Sequence, residues 1–266
     1  MRLTLAPLTN FDIGAAVAAI AAFAALRFGA LDAGGALAAF FVGTAVYGGL
    51  GGPGAIVLFG FFVTSVALSR VGKAAKARRL IDIGKTGPRD GTQVLANGGV
   101  AAVCALLAHF VDPRYAIAFA GAFAAATADT WATEIGTLVA APPRSILTGK
   151  PIATGLSGGV TFAGSAAQIA GALFVAGLAT LLEPQAFVPV LFGGVAGALF
   201  DSVLGASIQS LRWCPQCKRA CETEPHACGA NTTPLRGVVW FGNDAVNGLA
   251  TLAGAAVAFA LISFWR

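Results

Sequence analysis

AFVPVLFGGVAGALFDSVLGASI, running from Ala186 to Ile208, is apolar almost throughout yet carries an aspartate, Asp201, four residues beyond Gly197. A run of this length crosses the roughly 30 Å hydrocarbon core of a bilayer as a helix. A carboxylate at the centre of such a helix costs roughly 2.5 to 3.5 kcal/mol on insertion scales, so it needs protonation, water, a basic partner or a metal ion. The same juxtaposition recurs at Asp129, within the apolar run 114–135, and at Asp244, near the start of the run 237–264.

Further apolar runs lie at 11–31, 33–50, 53–70, 92–111 and 158–182. With 57% hydrophobic residues, 11% charged residues and a mean hydropathy of +0.78, the 266-residue chain is excluded from the soluble globular class. The composition predicts an all-α polytopic membrane protein: one integral domain over residues 1–266, with about eight transmembrane helices in one bundle. The run 33–50 ends in Gly48-Gly49-Leu50-Gly51-Gly52-Pro53, a sequence that also fits a broken or re-entrant segment. The first run is too long, and its flank, with Arg2 alone, too weakly basic for a cleaved signal peptide; it is read as mature structure.

Of 17 basic residues, seven lie between Arg70 and Arg89, two are Arg144 and Lys150, and four are Arg212, Lys218, Arg219 and Arg236. These loops follow the third, fifth and seventh runs, so the positive-inside rule places all of them in the cytoplasm and both termini outside. The basic loop 70–91 and the cysteine-rich loop 209–236 are then cytoplasmic, on a protein of the inner membrane. Within the first, the cluster from Arg70 to Arg79 reads as an orientation and anionic-lipid element. No basic surface interleaved with aromatics calls for a nucleic acid. A homodimer is compatible with the sequence but not specified by it.

In this orientation Asp129, Asp201 and Asp244 converge on the cytoplasmic face. Gly193, Gly197, Asp201 and Gly205 recur every four residues, as do Gly121, Ala125, Asp129 and Thr133. Small residues let helix backbones approach, so these carboxylates should point into the bundle. Asp90, Gln93 and Asn97 share one helix face, as do Asn243, Asp244 and Asn247. On an ideal helix Asp129 and Glu134 stand about 140° apart, so Glu134 belongs to a second face or the helix unwinds there.

The loop Lys85-Thr86-Gly87-Pro88-Arg89-Asp90-Gly91-Thr92-Gln93 joins cations, hydroxyls and glycines just before a helix start, a composition that suits phosphate. Gly84-Lys85-Thr86 looks like the tail of a Walker A loop, but Arg79 stands where the upstream glycine belongs. A second loop with Arg144 and Lys150, running on to Gly155-Leu156-Ser157-Gly158-Gly159, repeats the pattern. The candidate phosphate-binding set is Lys85, Thr86, Arg89, Asp90, Thr92, Gln93, Asn97, Arg144 and Lys150. Asp129, Glu134, Asp201, Asp244 and Asn247 offer hard oxygen donors suited to Mg²⁺, which commonly bridges carboxylates to phosphates. A Mg²⁺-bound nucleotide is the simplest occupant. Neither His109 nor His226 falls in this cluster, and phosphoryl transfer onto an already ionised phosphate needs no strong general base.

Lys85 through Gln93 with Asn97-Gly98-Gly99, Ala128-Asp129-Thr130-Trp131-Ala132-Thr133-Glu134-Ile135-Gly136, Asp201-Ser202-Val203-Leu204-Gly205 and Asn243-Asp244-Ala245-Val246-Asn247 occur in this order along the chain. Together they resemble the integral membrane family catalogued as domain of unknown function 92, which includes transmembrane protein 19 and the plant and cyanobacterial phytyl-phosphate kinases. The resemblance runs from about residue 30 to the C-terminus. It implies kinship with CTP-using membrane enzymes such as phytol kinase, dolichol kinase and CDP-diacylglycerol synthase, in which acidic membrane-embedded motifs bind Mg²⁺ and nucleotide and the acceptor is a lipid. Ser157 departs from the Asn or Asp expected in the family.

The resulting expectation is a lipid kinase transferring a phosphoryl group from CTP or another nucleoside triphosphate to an isoprenoid monophosphate such as phytyl phosphate, with Asp129, Asp201 and Lys85 as catalytic residues. Its rivals are a cytidylyltransferase making a CDP-linked lipid and an ion-coupled transporter. A transporter should show polar residues leading to both faces, whereas Asp12, Asp32, Asp112 and Glu183 all sit at span ends. Separately, Cys214, Cys217, Cys221 and Cys228 with His226 crowd one loop. A structural zinc set can be drawn from Cys214, Cys217, Cys228 and either His226 or Cys221, although the spacing matches no standard finger. Cys104 reads as a small packing residue.

Overall fold

The structure, a computed structural model, describes residues 9–73, 76, 87–139 and 141–264. Its long helices are α1 (Asn10–Arg27), α2 (Ala33–Arg70), α3 (Gly91–Phe110), α4 (Tyr115–Gly136), α5 (Phe162–Ala179), α6 (Phe187–Ser207) and α7 (Asn243–Phe264). Six of these, all but α4, are long and apolar enough to cross a membrane. Helix α4 instead runs through the centre: every residue from Ile117 to Ala128 is buried, as expected of a helix apolar on all sides.

Helix α2 is 38 residues long and is two helices rather than one. Gly51 takes φ 62° and ψ −150°, a conformation open to glycine but costly for other residues, and Pro53 removes a backbone donor two residues later. A Cβ added to Gly54 would lie 3.3 Å from the carbonyl oxygen of Val46, whereas a straight helix separates those positions by about 12 Å along its axis. The chain therefore folds back on itself. Gly51 lies with Asn10, Ala108, Arg114, Glu183 and Ile262 at one face, while the two ends of α2 lie at the other. There Asp32 N donates to Arg89 O at 3.1 Å, and Arg70 Nη2 donates to Phe28 O at 3.2 Å. The two halves match the runs expected at 33–50 and 53–70, and counted separately they bring the long helical segments among the described residues to eight.

At the centre, α4, α6 and α7 cross with almost no side chain between them. A Cβ on Gly121 would meet Ala258 Cβ at 2.5 Å and Gly254 O at 2.6 Å; one on Gly197 would meet Ala125 Cβ at 2.4 Å and Ala250 O at 2.7 Å. The small-residue stripes are thus the packing faces, where direct van der Waals contact replaces the hydrophobic drive that lipid cannot supply. Thr251 Oγ1 ties α7 to α3 by donating to Ala96 O at 3.2 Å.

At the basic face, outside the bundle, a two-stranded ribbon pairs β1 (Arg144–Ser145) with β2 (Gly159–Val160). A three-stranded antiparallel sheet follows α6, with β3 (Leu211–Cys214) between β4 (Arg219–Cys221) and β5 (Thr233–Arg236). Arg236 donates to Gly205 O at 2.9 Å and to Ala206 O, fastening this sheet to the end of α6.

Gly254→Val places a branched side chain where Cβ alone would lie 2.7 Å from Ala125 Cβ and from Gly121 O. It should destabilise the protein by about 3 kcal/mol or more. Gly177→Ala, with nothing within 4 Å, should be neutral or slightly stabilising. Thermal unfolding of the two variants in detergent checks the contrast.

Candidate active site

Below the crossing, the stripes carry Asp129 and Asp201 into one polar cavity of about 650 Å³. Its walls are the basic-face ends of α4 and α6, the starts of α5 and α7, the segment 154–161 and the edge of the three-stranded sheet. Asp129, Asp201, Asp244, Glu134 and Gln93 all line it, so the gathering of the three aspartates expected from the sequence is observed. Asp201 lies within electrostatic reach of Asp129 and Glu222, and its Oδ2 is buried without a hydrogen-bond partner among the described residues. A buried, unsatisfied carboxylate oxygen is costly unless a cation or proton faces it. Helix α4 stays helical through Gly136, and the cavity is wide enough to take both Asp129 and Glu134.

Several residues of this site escaped the sequence reading. Glu222, from the cysteine-rich loop, accepts hydrogen bonds from Ser157 N at 2.7 Å, Ser157 Oγ at 2.9 Å and Gln209 Nε2 at 2.9 Å. Burial pushes its carboxyl above the usual range, with the Ser157 bonds and the Arg236 charge working against that. Ser157 is therefore the donor that anchors Glu222. Buried Gln168 also lines the cavity. Lys76, within the basic cluster from Arg70 to Arg79, has a further role that the sequence did not show: its side chain is 7% exposed, pairs with Glu134, and donates to Leu68 O at 2.8 Å.

A second space, an apolar slot of about 360 Å³, lies between α1 and both halves of α2. Along α1 it is lined from Gly14 to Ala25, about 16 Å at the helical rise, and past the helix end by Phe28, Ala30 and Leu31. Phe28, Phe59 and Val63 line it and also face outward, so it opens toward lipid. At the basic face it ends on Arg89, Gln93 and Asn97. Gln93 lines both spaces, so slot and polar cavity lie side by side there. The Arg89 guanidinium stands 5.9 Å from the Phe61 ring centroid and makes no hydrogen bond or ion pair among the described residues. Burial lowers its pKa from the ordinary value, opposed by the Glu134 charge.

Other expected residues are placed differently. Asp90 is the N-cap of α3, its Oδ1 accepting from Gln93 N at 2.9 Å while Gln93 Oε1 accepts from Asp90 N at 3.1 Å. Its carboxylate thus serves a helix end. Thr92, Arg144 and Lys150 are exposed and line neither space, and Arg144 Nη1 donates to Gly149 O at 2.8 Å. Asn247 is half-buried one turn beyond the cavity. Lys85 and Thr86 lie outside the described residues. Cys214, Cys217, His226 and Cys228 cluster in the sheet, away from the cavity lining.

Residues 16–255 match the family described as Integral membrane protein DUF92. Among similar proteins, Protein PGR of Arabidopsis thaliana is 32% identical, covering 74% of this chain and 78% of the relative. Protein VTE6, chloroplastic, also of Arabidopsis thaliana, is 25% identical over 88% of this chain and 66% of its own length. An uncharacterized membrane protein of Synechocystis is 26% identical, covering 84% and 79%. No solved structure matches.

Lys76→Met strips Glu134 of its partner and should lower stability by about 3 kcal/mol, the scale for breaking a buried ion pair from one side. Adding Glu134→Gln should restore at least half of that loss. Thermal unfolding of the two single variants and the double variant measures the coupling, and a purely additive double variant would refute it.

Proposed function

The chain belongs to the Integral membrane protein DUF92 family, and from that premise we propose that it is a membrane-embedded kinase. It moves a phosphoryl group from CTP or another nucleoside triphosphate to an isoprenoid monophosphate such as phytyl phosphate, giving the diphosphate. The observation that carries this reading is the meeting, at Gln93, of an acidic polar cavity with an apolar slot that ends on Arg89. The slot suits a prenyl chain entering sideways from the bilayer, and Arg89 suits the phosphate that the chain carries. The basic face is assigned to the cytoplasm, where nucleoside triphosphates are found.

Asp129, Asp201, Asp244 and Glu134 supply the hard oxygen donors that Mg²⁺ takes, and the Oδ2 of Asp201, unpartnered among the described residues, fits a cation. Mg²⁺ held there would offset the charge of the triphosphate. Lys85 and Thr86, just before Arg89 in the chain, are assigned to the phosphates as well. In the transfer, an oxygen of the acceptor phosphate forms a bond to the γ-phosphorus, the bond from that phosphorus to the β–γ bridging oxygen breaks, and the nucleoside diphosphate leaves. The attacking oxygen is already ionised, so no base has to take a proton. This agrees with the position of His109, which packs on Phe11 at the opposite face.

Purified protein supplied with Mg²⁺, phytyl monophosphate and CTP should yield phytyl diphosphate carrying label from the γ-phosphate, with ATP compared as donor. A CDP-linked lipid with released pyrophosphate would establish the cytidylyltransferase instead, and absence of turnover with every donor would favour transport. Asp129→Asn and Asp201→Asn should each lower kcat by about a hundredfold or more. Arg89→Gln should raise KM for the lipid roughly tenfold with little change in kcat. Ala21→Trp, which fills the slot, should shift preference toward shorter prenyl chains; unchanged chain preference would remove the slot from the account.

A further inference from the structure

The cysteine-rich sheet contains a set of donors that the proposed transfer does not use. Cys214 ends β3, and Cys217 follows in the tight turn to β4, where Lys218 adopts a φ of 51°. Cys217 N donates to Cys214 Sγ at 3.4 Å, so the turn wraps its backbone around the first sulfur. His226 and Cys228 come from the loop between β4 and β5. His226 Nδ1 lies 3.1 Å from Cys228 Sγ, and Cys214 Sγ lies 3.6 Å from Cys228 Sγ.

The donor atoms of Cys214, Cys217, His226 and Cys228 all lie within 4.8 Å of one another. Two sulfurs bound to one tetrahedral zinc at about 2.3 Å each stand about 3.8 Å apart. The separation of Cys214 from Cys228 is close to that and far from the 2.05 Å of a disulfide. Cys221, the surplus thiol, turns away toward the carbonyls of Arg212 and Thr223 at 3.8 and 4.0 Å. The open choice between His226 and Cys221 therefore falls to His226.

We propose that Cys214, Cys217, His226 and Cys228 bind one structural zinc ion, and that this ion fixes the segment carrying Glu222 over the polar cavity. Three thiolates and one imidazole complete a closed tetrahedral shell with no open position, the composition of structural rather than catalytic zinc sites. The sheet is only three short strands and holds little apolar core, so a metal supplies the order that its packing cannot. Glu222 follows Cys221 directly, and Glu222, Thr223 and Glu224 all line the cavity. Glu224 pairs with Arg212, and Thr232 N donates to it at 3.1 Å, linking the cavity edge to β3 and to the start of β5.

Protein purified without chelator should contain one zinc per chain by elemental analysis. After removal of zinc, Co²⁺ should restore a visible spectrum with the intense ligand-field bands of a tetrahedral site and thiolate charge-transfer absorption. Cys217→Ser should abolish stoichiometric metal, whereas Cys221→Ser should retain it. Loss of the metal should weaken binding of Mg²⁺-CTP about tenfold, with Glu222→Gln weakening it without loss of zinc. If Cys217→Ser fails to fold, Co²⁺ titration of the metal-stripped wild-type chain decides the matter. Absence of zinc together with absence of a tetrahedral cobalt spectrum would overturn the proposal, as would a disulfide between Cys214 and Cys228 in the native protein. Zinc with unchanged nucleotide affinity on its removal would refute the link to Glu222. Neither metal readout depends on the kinase reading, so the two can fail separately.

Discussion

Everything at the basic face depends on how closely α4, α6 and α7 cross. In lipid, helices gain nothing by hiding apolar surface from one another, so association rests on contact between backbones. Gly121, Gly193, Gly197 and Gly254 leave room for that contact and for little else, since a single added methyl on any of them would collide with a neighbouring backbone or alanine. Toward the basic face the ends of α4 and α6 and the start of α7 line the polar cavity. Asp129 and Asp201 each lie one turn beyond a crossing residue, Ala125 and Gly197, on the same stripes, so the crossing that excludes side chains above also sets both carboxylates in one cavity below.

That arrangement carries an energetic obligation. Two carboxylates within reach of each other and of Glu222 cannot all remain charged in a low-dielectric bundle without compensation. Part of it comes from the protein: Lys76 pairs with Glu134, while Ser157 and Gln209 donate to Glu222. Asp201 Oδ2 receives none from the described residues. Among the described residues the unbalanced acidity is concentrated where the stripes end, beside a slot that ends on the half-buried Arg89, and the two charges of opposite sign suit a ligand that brings both a cation and phosphate.

The parts of this structure set by local pattern were legible in the chain. Apolar run length located the helices, and Gly48 through Pro53 marked the place where α2 turns back. The four-residue recurrence of Gly193, Gly197 and Asp201 identified both a packing face and a site. Glu222, Lys76 and Gln209 were not legible, because each reaches its role through a partner remote in sequence: Ser157 is 65 residues from Glu222, and Glu134 is 58 from Lys76. No periodicity encodes such pairings. Arg144 and Lys150 had the right chemistry but sit on the exposed ribbon, and Asp90 is committed to the cap of α3. Composition near a helix start predicts an anion site and an ordinary capping box equally well, and here the box took the aspartate.

Asp129 and Asp201, brought into one cavity by the glycine crossing, are proposed to act as one cation site. Electron paramagnetic resonance of Mn²⁺ added to the purified protein with CTP tests this most directly. Bound Mn²⁺ should appear in the wild type and in Asp12→Asn, a change at the opposite face, and should be lost in Asp129→Asn and in Asp201→Asn alike. Retention of the bound signal in either of those two variants would contradict the account.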